Sequence, residues 1–177
     1  MNVCHYRIVL MSCFFLLMLA ASSGNAHTQK DATPINPIAS YEATQLPSFL
    51  IQDVNGNLVN FSSFAGKKIF LNLWASWCPP CQKELPSIEK LYRSVNKEQV
   101  AFVLLALDDD FEKSKKYMQS KGLNLPIYYP AQGLPPALQV KDIPVTFIFN
   151  ENSELMGKVI GGDDYDTDSY RRLFGSR

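Results

Sequence analysis

The sequence predicts an α/β fold in which a central mixed sheet is flanked by helices. Two observations support this prediction. Short apolar runs typical of buried strands alternate with segments in which apolar residues recur every three to four positions. The last two apolar runs are joined by a tight turn, which predicts an antiparallel strand pair at one edge of the sheet. Hydrophobic residues make up 46% of the chain, which is enough for a substantial core.

The 177-residue chain is expected to carry one domain behind a targeting leader. Residues 1–26 resemble a signal peptide, with a basic start, an apolar run over 8–21 and small residues before Ala26. A retained membrane anchor is the alternative, although the run is shorter than the roughly 20 residues that a spanning helix prefers. Residues 27–45 are polar and predict a linker or arm. The folded domain is therefore expected over 46–177.

The first elements of the domain follow from turn residues and periodicity. Asn55-Gly56 favours a hairpin turn between apolar residues at 49–51 and 58–59. The run Ile69–Trp74 is almost continuously apolar, as expected for a strand that is covered on both faces. Beyond Cys81, the apolar residues Leu85, Ile88, Leu91 and Val95 recur at helical spacing and predict an amphipathic helix.

The second half of the chain continues the alternation of strands and helices. The predicted elements are a strand over 100–107, a helix over 108–121, a short apolar stretch over 127–129, a helical turn within 133–140, a strand over 145–149, a turn over 150–154, a strand over 155–160 and a helix over about 164–174. The strand-helix-strand order predicts parallel pairing between the first buried strands.

The charges of the chain exclude some function classes and leave the specificity to local features. Lysine plus arginine equals aspartate plus glutamate at 17 each, so neither nucleic acid nor an anionic membrane surface is expected as the main partner. Acidic residues cluster at 108–110 and 163–168, and we expect them to cap helices. A calcium-binding EF-hand loop beginning at Asp164 would need glycine at 169 and glutamate at 175, where Ser169 and Gly175 stand.

The cysteines indicate redox chemistry. Removal of the leader would remove Cys4 and Cys13, leaving only Cys78 and Cys81. A disulfide across two residues closes almost no loop, so it adds little stability as a structural link. Zinc would need four ligands, and a haem attachment site would need histidine where Gln82 stands, so no metal or other cofactor is predicted beside the redox-active pair.

The positions of the two cysteines suggest different roles for them in thiol-disulfide exchange. Cys78 falls at the start of the predicted helix, where free N–H groups and the helix dipole stabilise a thiolate. Pro79 suits the first helical turn because its missing N–H costs no hydrogen bond there. Cys81 lies nearly one turn deeper, where it could attack a mixed disulfide formed by Cys78 and release the substrate.

The segment 74–81, with the sequence WASWCPPC, is followed by Glu84 and Pro86. These residues resemble the TlpA/ResA-like branch of the thioredoxin superfamily. The resemblance extends from residue 46 to the C-terminus, and it includes that branch's N-terminal hairpin extension and central insertion. It implies a thioredoxin-like fold and a thiol-disulfide oxidoreductase activity.

The resemblance also implies roles for residues outside the cysteine pair. Ile143 and Pro144 resemble the cis-proline loop, which implies a cis bond between them, and an ordinary proline at a strand entrance is the alternative. Glu84 corresponds to an acid thought to assist proton transfer at the thiols, and a solvated glutamate that only complements the helix dipole is the alternative. Asn72 stands where thioredoxin has a buried aspartate, so Glu84 or water would have to accept the proton.

The expected activity is the reduction of protein disulfides outside the cytoplasm by a monomer. The substrate would dock on an apolar face formed by Trp77, Pro79, Pro80, Ile143 and Pro144. In this family such substrates include apocytochromes c before haem attachment, and a membrane electron donor would regenerate the dithiol. A disulfide oxidase or isomerase, and a non-catalytic binding or chaperone module with the same fold, are the alternatives.

Overall fold

The computed structural model describes residues 46–175, which form a seven-stranded mixed sheet and three α-helices. The strands are β1 (Leu50–Gln52), β2 (Leu58–Asn60), β3 (Lys68–Trp74), β4 (Val100–Ala106), β5 (Ile127–Pro130), β6 (Val145–Phe149) and β7 (Leu155–Ile160). The helices are α1 (Pro79–Ser94), α2 (Phe111–Lys121) and α3 (Asp168–Phe174). The predicted α/β fold is confirmed, whereas the predicted signal peptide and linker lie outside the described residues.

The sheet has the order β2-β1-β5-β4-β3-β6-β7, with β3 near its centre. β3 pairs in parallel with β4 and antiparallel with β6, and β7 continues the antiparallel edge, as the tight turn predicts. All seven residues of β4 are buried, which explains why this strand is continuously apolar. Among residues 46–175, no helix has both the length and the apolar character needed to cross a membrane.

The alternation of side chains along β3 divides the core into two layers. Phe70 and Trp74 belong to the layer that also contains buried residues of α1, α2 and α3, whereas Leu71 and Leu73 belong to the layer on the opposite face. Because successive side chains of a strand point to opposite faces, Asn72 lies on the same face as Phe70 and Trp74. The strand therefore places one buried amide beneath the helices.

The N-terminal hairpin forms where the Asn-Gly pair predicts it. Asp53 Oδ1 accepts hydrogen bonds from the backbone N–H groups of Asn55 and Asn57 at 2.9 and 2.8 Å, and Gly56 takes a φ of +88°, which favours glycine. The hairpin joins the main sheet through pairing of β1 with β5.

Two helices begin later than the sequence predicts. α2 begins at Phe111 rather than at 108, because Asp110 caps it by accepting the N–H of Glu112. α3 begins at Asp168 rather than near 164, and Thr167 caps it instead of an acid. The prediction that acids cap both helices therefore holds for the first cluster only.

Candidate active site

The cysteine pair lies where β3 gives way to α1. Cys78 is the N-cap residue of α1, and its Sγ accepts the backbone N–H of Cys81 at 3.3 Å. Pro79 and Pro80 occupy the first two helical positions, where a missing N–H removes no helical hydrogen bond. The sulfur of Cys78 therefore lies at the positive end of the helix dipole, in a position that stabilises a thiolate.

The sulfurs of Cys78 and Cys81 are joined in a disulfide that is almost fully covered. Cys78 retains 3% of its surface and Cys81 retains none, so a reaction partner can reach the pair only at Cys78. Trp77 is 63% exposed, and Pro79 and Pro80 are also exposed. The accessible sulfur therefore has an apolar rim.

The loop before β6 closes the opposite side of the disulfide. The Ile143-Pro144 bond is cis, as the resemblance implied. The carbonyl oxygen of Ile143 lies 3.7 Å from Cys78 Sγ. The carbonyl of Pro144 accepts the N–H of Gly161, which ties this loop to the segment after β7. Residues separated by about 65 positions thus face each other across the reactive sulfur.

A buried aspartate fixes the loop that leads into Cys78. Asp108 accepts the backbone N–H of Ser76 at 3.0 Å, the hydroxyl of Ser76 at 2.5 Å and the hydroxyl of Ser114 at 2.6 Å. From α1, the side-chain amide of Gln82 donates to the carbonyl of Ser76 at 2.5 Å. We expected Asp108 to cap a helix, and the residues beside it in the sequence gave no local signal of its contact with Ser76.

Glu84 is buried rather than solvated. It retains 2% of its surface, and its oxygens accept the side-chain N–H of Asn72 at 2.8 Å and the backbone N–H of Asp163 at 3.2 Å. Burial raises the pKa of Glu84 to about 7, while the two hydrogen bonds act in the opposite direction. A carboxyl group with such a pKa can both give and take a proton near neutral pH.

A groove of about 570 Å³ opens beside Glu84 and the start of α1. It is lined by Pro80, Lys83, Glu84, Pro86, Ser87, Lys90, Gly162, Asp163 and Asp164. A Cβ on Gly162 would lie 3.3 Å from the carbonyl oxygen of Pro80, so the glycine permits close approach of this loop to α1. The groove provides space next to the redox pair.

The structure brings together the residues that the sequence singled out. Cys78 caps α1, Cys81 and Glu84 lie in its first two turns, and the carbonyl of Ile143 contacts Cys78 from the loop before β6, next to the cis bond to Pro144. Over residues 46–175, no group of three or more histidine, cysteine, aspartate or glutamate side chains is arranged to hold a metal ion. The chemistry that this arrangement can perform is thiol-disulfide exchange.

Comparisons with known proteins agree with this geometry. The Redoxin family model matches residues 42–169. The thiol-disulfide oxidoreductase ResA of Geobacillus kaustophilus is 29% identical over 160 residues, a match that covers 88% of each chain. ResA of Bacillus subtilis is 30% identical over 121 residues, which is 68% of each chain.

A solved structure extends the similarity to three dimensions. The crystal structure of StoA from Bacillus subtilis matches with a TM-score of 0.59 and 27% identity, covering 68% of this chain and 92% of StoA. The chain therefore combines a thioredoxin-like fold, the cysteine pair and a family match over residues 42–169. The chain belongs to the Redoxin family and is a thiol-disulfide oxidoreductase of the ResA type.

Proposed function

We propose that the protein reduces disulfides of other proteins outside the cytoplasm, with Cys78 as the nucleophile and Cys81 as the resolving cysteine. The observation that carries this assignment is the asymmetry of the pair. Cys78 Sγ lies at the N-cap of α1 with residual exposure, whereas Cys81 is completely covered within the helix. An incoming disulfide can therefore meet only Cys78.

The exchange takes place in two steps. The Cys78 thiolate attacks one sulfur of the substrate disulfide, so that a mixed disulfide forms and the other substrate sulfur leaves as a thiolate. Cys81 then loses its proton and attacks Cys78 Sγ, which releases the second substrate sulfur and forms the Cys78–Cys81 disulfide. Two electrons pass to the substrate, and a dithiol donor must return them for the next cycle.

Glu84 handles the proton of the second step. Its carboxylate takes the Cys81 proton and passes it to the departing substrate thiolate, for which a pKa of about 7 is well suited. Asn72 at the position of thioredoxin's buried aspartate cannot serve as a base, since an amide does not ionise in this range. The burial of Glu84 supports this role over that of a solvated glutamate.

The docking face consists of the rim residues around Cys78. Trp77, Pro79 and Pro80 offer exposed apolar surface, and the half-buried Ile143 and its neighbour Pro144 border the sulfur. An exposed tryptophan next to a reactive group is typical of an interface residue that carries much of the binding energy. We assign these five residues to substrate binding.

The location and the partners follow from the leader and the family. The signal-peptide pattern of residues 1–26 supports export from the cytoplasm. Because the surroundings outside the cytoplasm are oxidising, a reductase there needs an electron donor in the membrane. Apocytochromes c before haem attachment fit as substrates, because they present cysteine pairs that must be reduced. The protein would act as a monomer without a further cofactor.

Trapping in the native compartment tests the proposal. A Cys81→Ala variant should accumulate mixed disulfides through Cys78, and mass spectrometry of the captured proteins names the substrate. The Cys78→Ala/Cys81→Ala double variant is the matched control and should capture none. If the folded single variant captures no more than this control, protein thiol exchange is refuted.

A steady-state measurement tests the direction of electron transfer. A reductase should be found largely as the dithiol in its compartment, whereas an oxidase would be found as the disulfide. The purified wild-type protein should also reduce insulin with dithiothreitol, and Cys78→Ala should not. Failure of the wild-type protein in this assay would favour a non-catalytic binding module.

A further inference from the structure

A chain of hydrogen bonds leads from Glu84 away from the disulfide into the core. Asn72 Nδ2 donates to Glu84 Oε1 at 2.8 Å and to Thr146 Oγ1 at 2.9 Å, and the Thr146 and Tyr165 hydroxyls lie 2.7 Å apart. Asn72, Thr146 and Tyr165 are completely buried. The proposed mechanism uses only the carboxyl end of this chain, so the hydroxyls at the other end lack a role.

The orientation of the Asn72 amide determines whether its N–H group or its oxygen lies against the carboxylate of Glu84. Both N–H groups of the amide have acceptors, whereas its Oδ1 has no partner among the described residues. The reversed amide has nearly the same shape but would place Oδ1 against a carboxylate oxygen. A donor in this position favours the ionised carboxylate, and an acceptor disfavours it.

Thr146 provides the acceptor that the observed orientation requires. It is the direct partner of Asn72 in the antiparallel register of β3 and β6, so the backbone fixes its distance from the amide. Its hydroxyl also contacts the hydroxyl of Tyr165, which occupies a second hydrogen-bonding position on the same oxygen.

Tyr165 is itself attached to α1 close to Glu84. Its backbone N–H donates to Ser87 Oγ at 3.0 Å, and the Ser87 hydroxyl donates to the carbonyl of Glu84 at 2.7 Å. Its ring packs edge-on against Phe70 with the centroids 4.9 Å apart. The backbone of Tyr165 is thus attached to the helix that carries the redox pair, and the packing of its ring against Phe70 orients the hydroxyl towards Thr146.

We propose that Thr146 and Tyr165 are positioning residues of the redox site, which hold the Asn72 amide with its N–H directed at Glu84 and so favour the ionised form of that carboxyl group. This inference rests on the proposed proton transfer between Glu84 and Cys81. Neither hydroxyl touches the reacting sulfurs in this scheme, and both act through Asn72 alone.

The other groups that face Glu84 stay the same when either hydroxyl is removed. From α1 these are Lys83 and Lys90, which line the groove beside Glu84. From the loop after β7 they are Asp163 and Asp164. Burial raises the pKa of Tyr165 and Tyr170, so both rings are neutral. A change in the titration of Glu84 on loss of a hydroxyl therefore reports on the amide.

A carbon-13 NMR titration of the glutamate side-chain carboxyls tests the proposal directly. The full chain in its disulfide form is labelled, and the Glu84 signal is assigned by its absence from Glu84→Gln. Thr146→Val should raise the pKa of Glu84 by about one unit, which is the size expected when a hydrogen bond to a charged group is weakened. Tyr165→Phe should raise it by less, because its hydroxyl is one bond further from the amide.

Two matched variants separate positioning from packing. Thr146→Ser keeps the hydroxyl and should titrate as the wild type does. Tyr92 lies on α1 about two turns beyond Glu84, and its ring packs against Phe102. Tyr92→Phe removes its hydroxyl and should also leave the pKa of Glu84 unchanged. A Glu84 pKa unmoved in both Thr146→Val and Tyr165→Phe overturns the proposal, as does an equal rise in Thr146→Ser.

The pH profile of insulin reduction distinguishes this inference from the proposed function. If both are right, the inflection due to Glu84 moves upward in Thr146→Val together with the NMR titration. A wild-type protein that fails to reduce insulin would refute the proposed function, yet the NMR titration of the disulfide form would still decide whether the hydroxyls position Asn72.

Discussion

The backbone N–H of Asp163 donates to Oε2 of Glu84 at 3.2 Å, although 79 positions separate the two residues. The carboxylate of Asp163 opposes ionisation of Glu84, while this N–H supports it. A loop near the end of the chain therefore takes part in setting the charge of a carboxyl group on the helix that carries both cysteines.

Replacement of Glu84 by glutamine should remove part of the pH dependence of stability. Burial raises the pKa of Glu84 from its ordinary value of 4.5 to about 7. Between these values the folded protein keeps a proton that the unfolded chain has released, so the free energy of unfolding falls as the pH rises.

Between about pH 4 and pH 8, we expect the free energy of unfolding of the wild-type protein to fall by about 3 kcal/mol more than that of Glu84→Gln. Urea unfolding of both proteins across this range measures the difference. Parallel profiles would show that Glu84 titrates as it does in the unfolded chain.

Replacement of Asp108 by alanine should destabilise the loop that leads into Cys78. The change leaves the N–H and hydroxyl of Ser76 and the hydroxyl of Ser114 without their acceptor in a buried site. We expect a loss of about 2–4 kcal/mol in the free energy of unfolding, measured in urea.

The neighbouring acid is the control for this experiment. Asp109 is paired with Lys113, and its side chain is 77% exposed. Asp109→Ala should therefore leave the free energy of unfolding close to that of the wild type. Equal losses in the two variants would mean that the contacts of Asp108 contribute nothing specific.

Replacement of Trp77 by alanine should impair binding of protein substrates without unfolding the domain. The side chain is 63% exposed, so little core packing is lost. We expect KM for insulin to rise roughly tenfold, the effect of a typical interface residue that dominates binding. Leu58→Ala is the control, because Leu58 is similarly exposed at 61% but lies on the hairpin strand β2. A normal KM in Trp77→Ala would exclude this residue from the docking face.

Replacement of Asn72 by aspartate should place two carboxyl groups in hydrogen-bond contact. The amide nitrogen that is replaced lies 2.8 Å from Glu84 Oε1, and carboxylates at such a distance share one proton. We expect the stability of Asn72→Asp to fall below that of the wild type as the pH rises above about 7, when both groups are driven to ionise. Asn152→Asp in the exposed turn before β7 should show no such fall in urea unfolding.

Some elements follow from local sequence alone. β6 and β7 have the predicted bounds, because the strands are short apolar runs that end at a turn. The cysteine pair is equally local, since a helix start and a two-residue spacing define it. α3 could not be placed as well, because the acids before it bond to neighbouring loop groups and leave the capping to Thr167.

The contacts around Glu84 were beyond a local analysis. Asn72 and Thr146 are both polar residues within apolar strands, and a buried polar side chain needs a partner, which was a usable signal. Knowing that they are partners of each other requires the register of β3 and β6 across 74 positions. The contact of Asp108 with Ser76 and that of Asp163 with Glu84 likewise depend on how the sheet is assembled.

The close approach of Gly162 to Pro80 has a consequence for the folding of the site. The loop that packs against the first turn of α1 follows the cysteines by about 80 residues in the chain. In the unfolded chain both cysteines are open to thiol chemistry, whereas the folded domain leaves 3% of Cys78 and none of Cys81 exposed. A redox partner that meets the chain before this loop has packed can therefore react with either cysteine, and a partner of the folded domain with Cys78 alone.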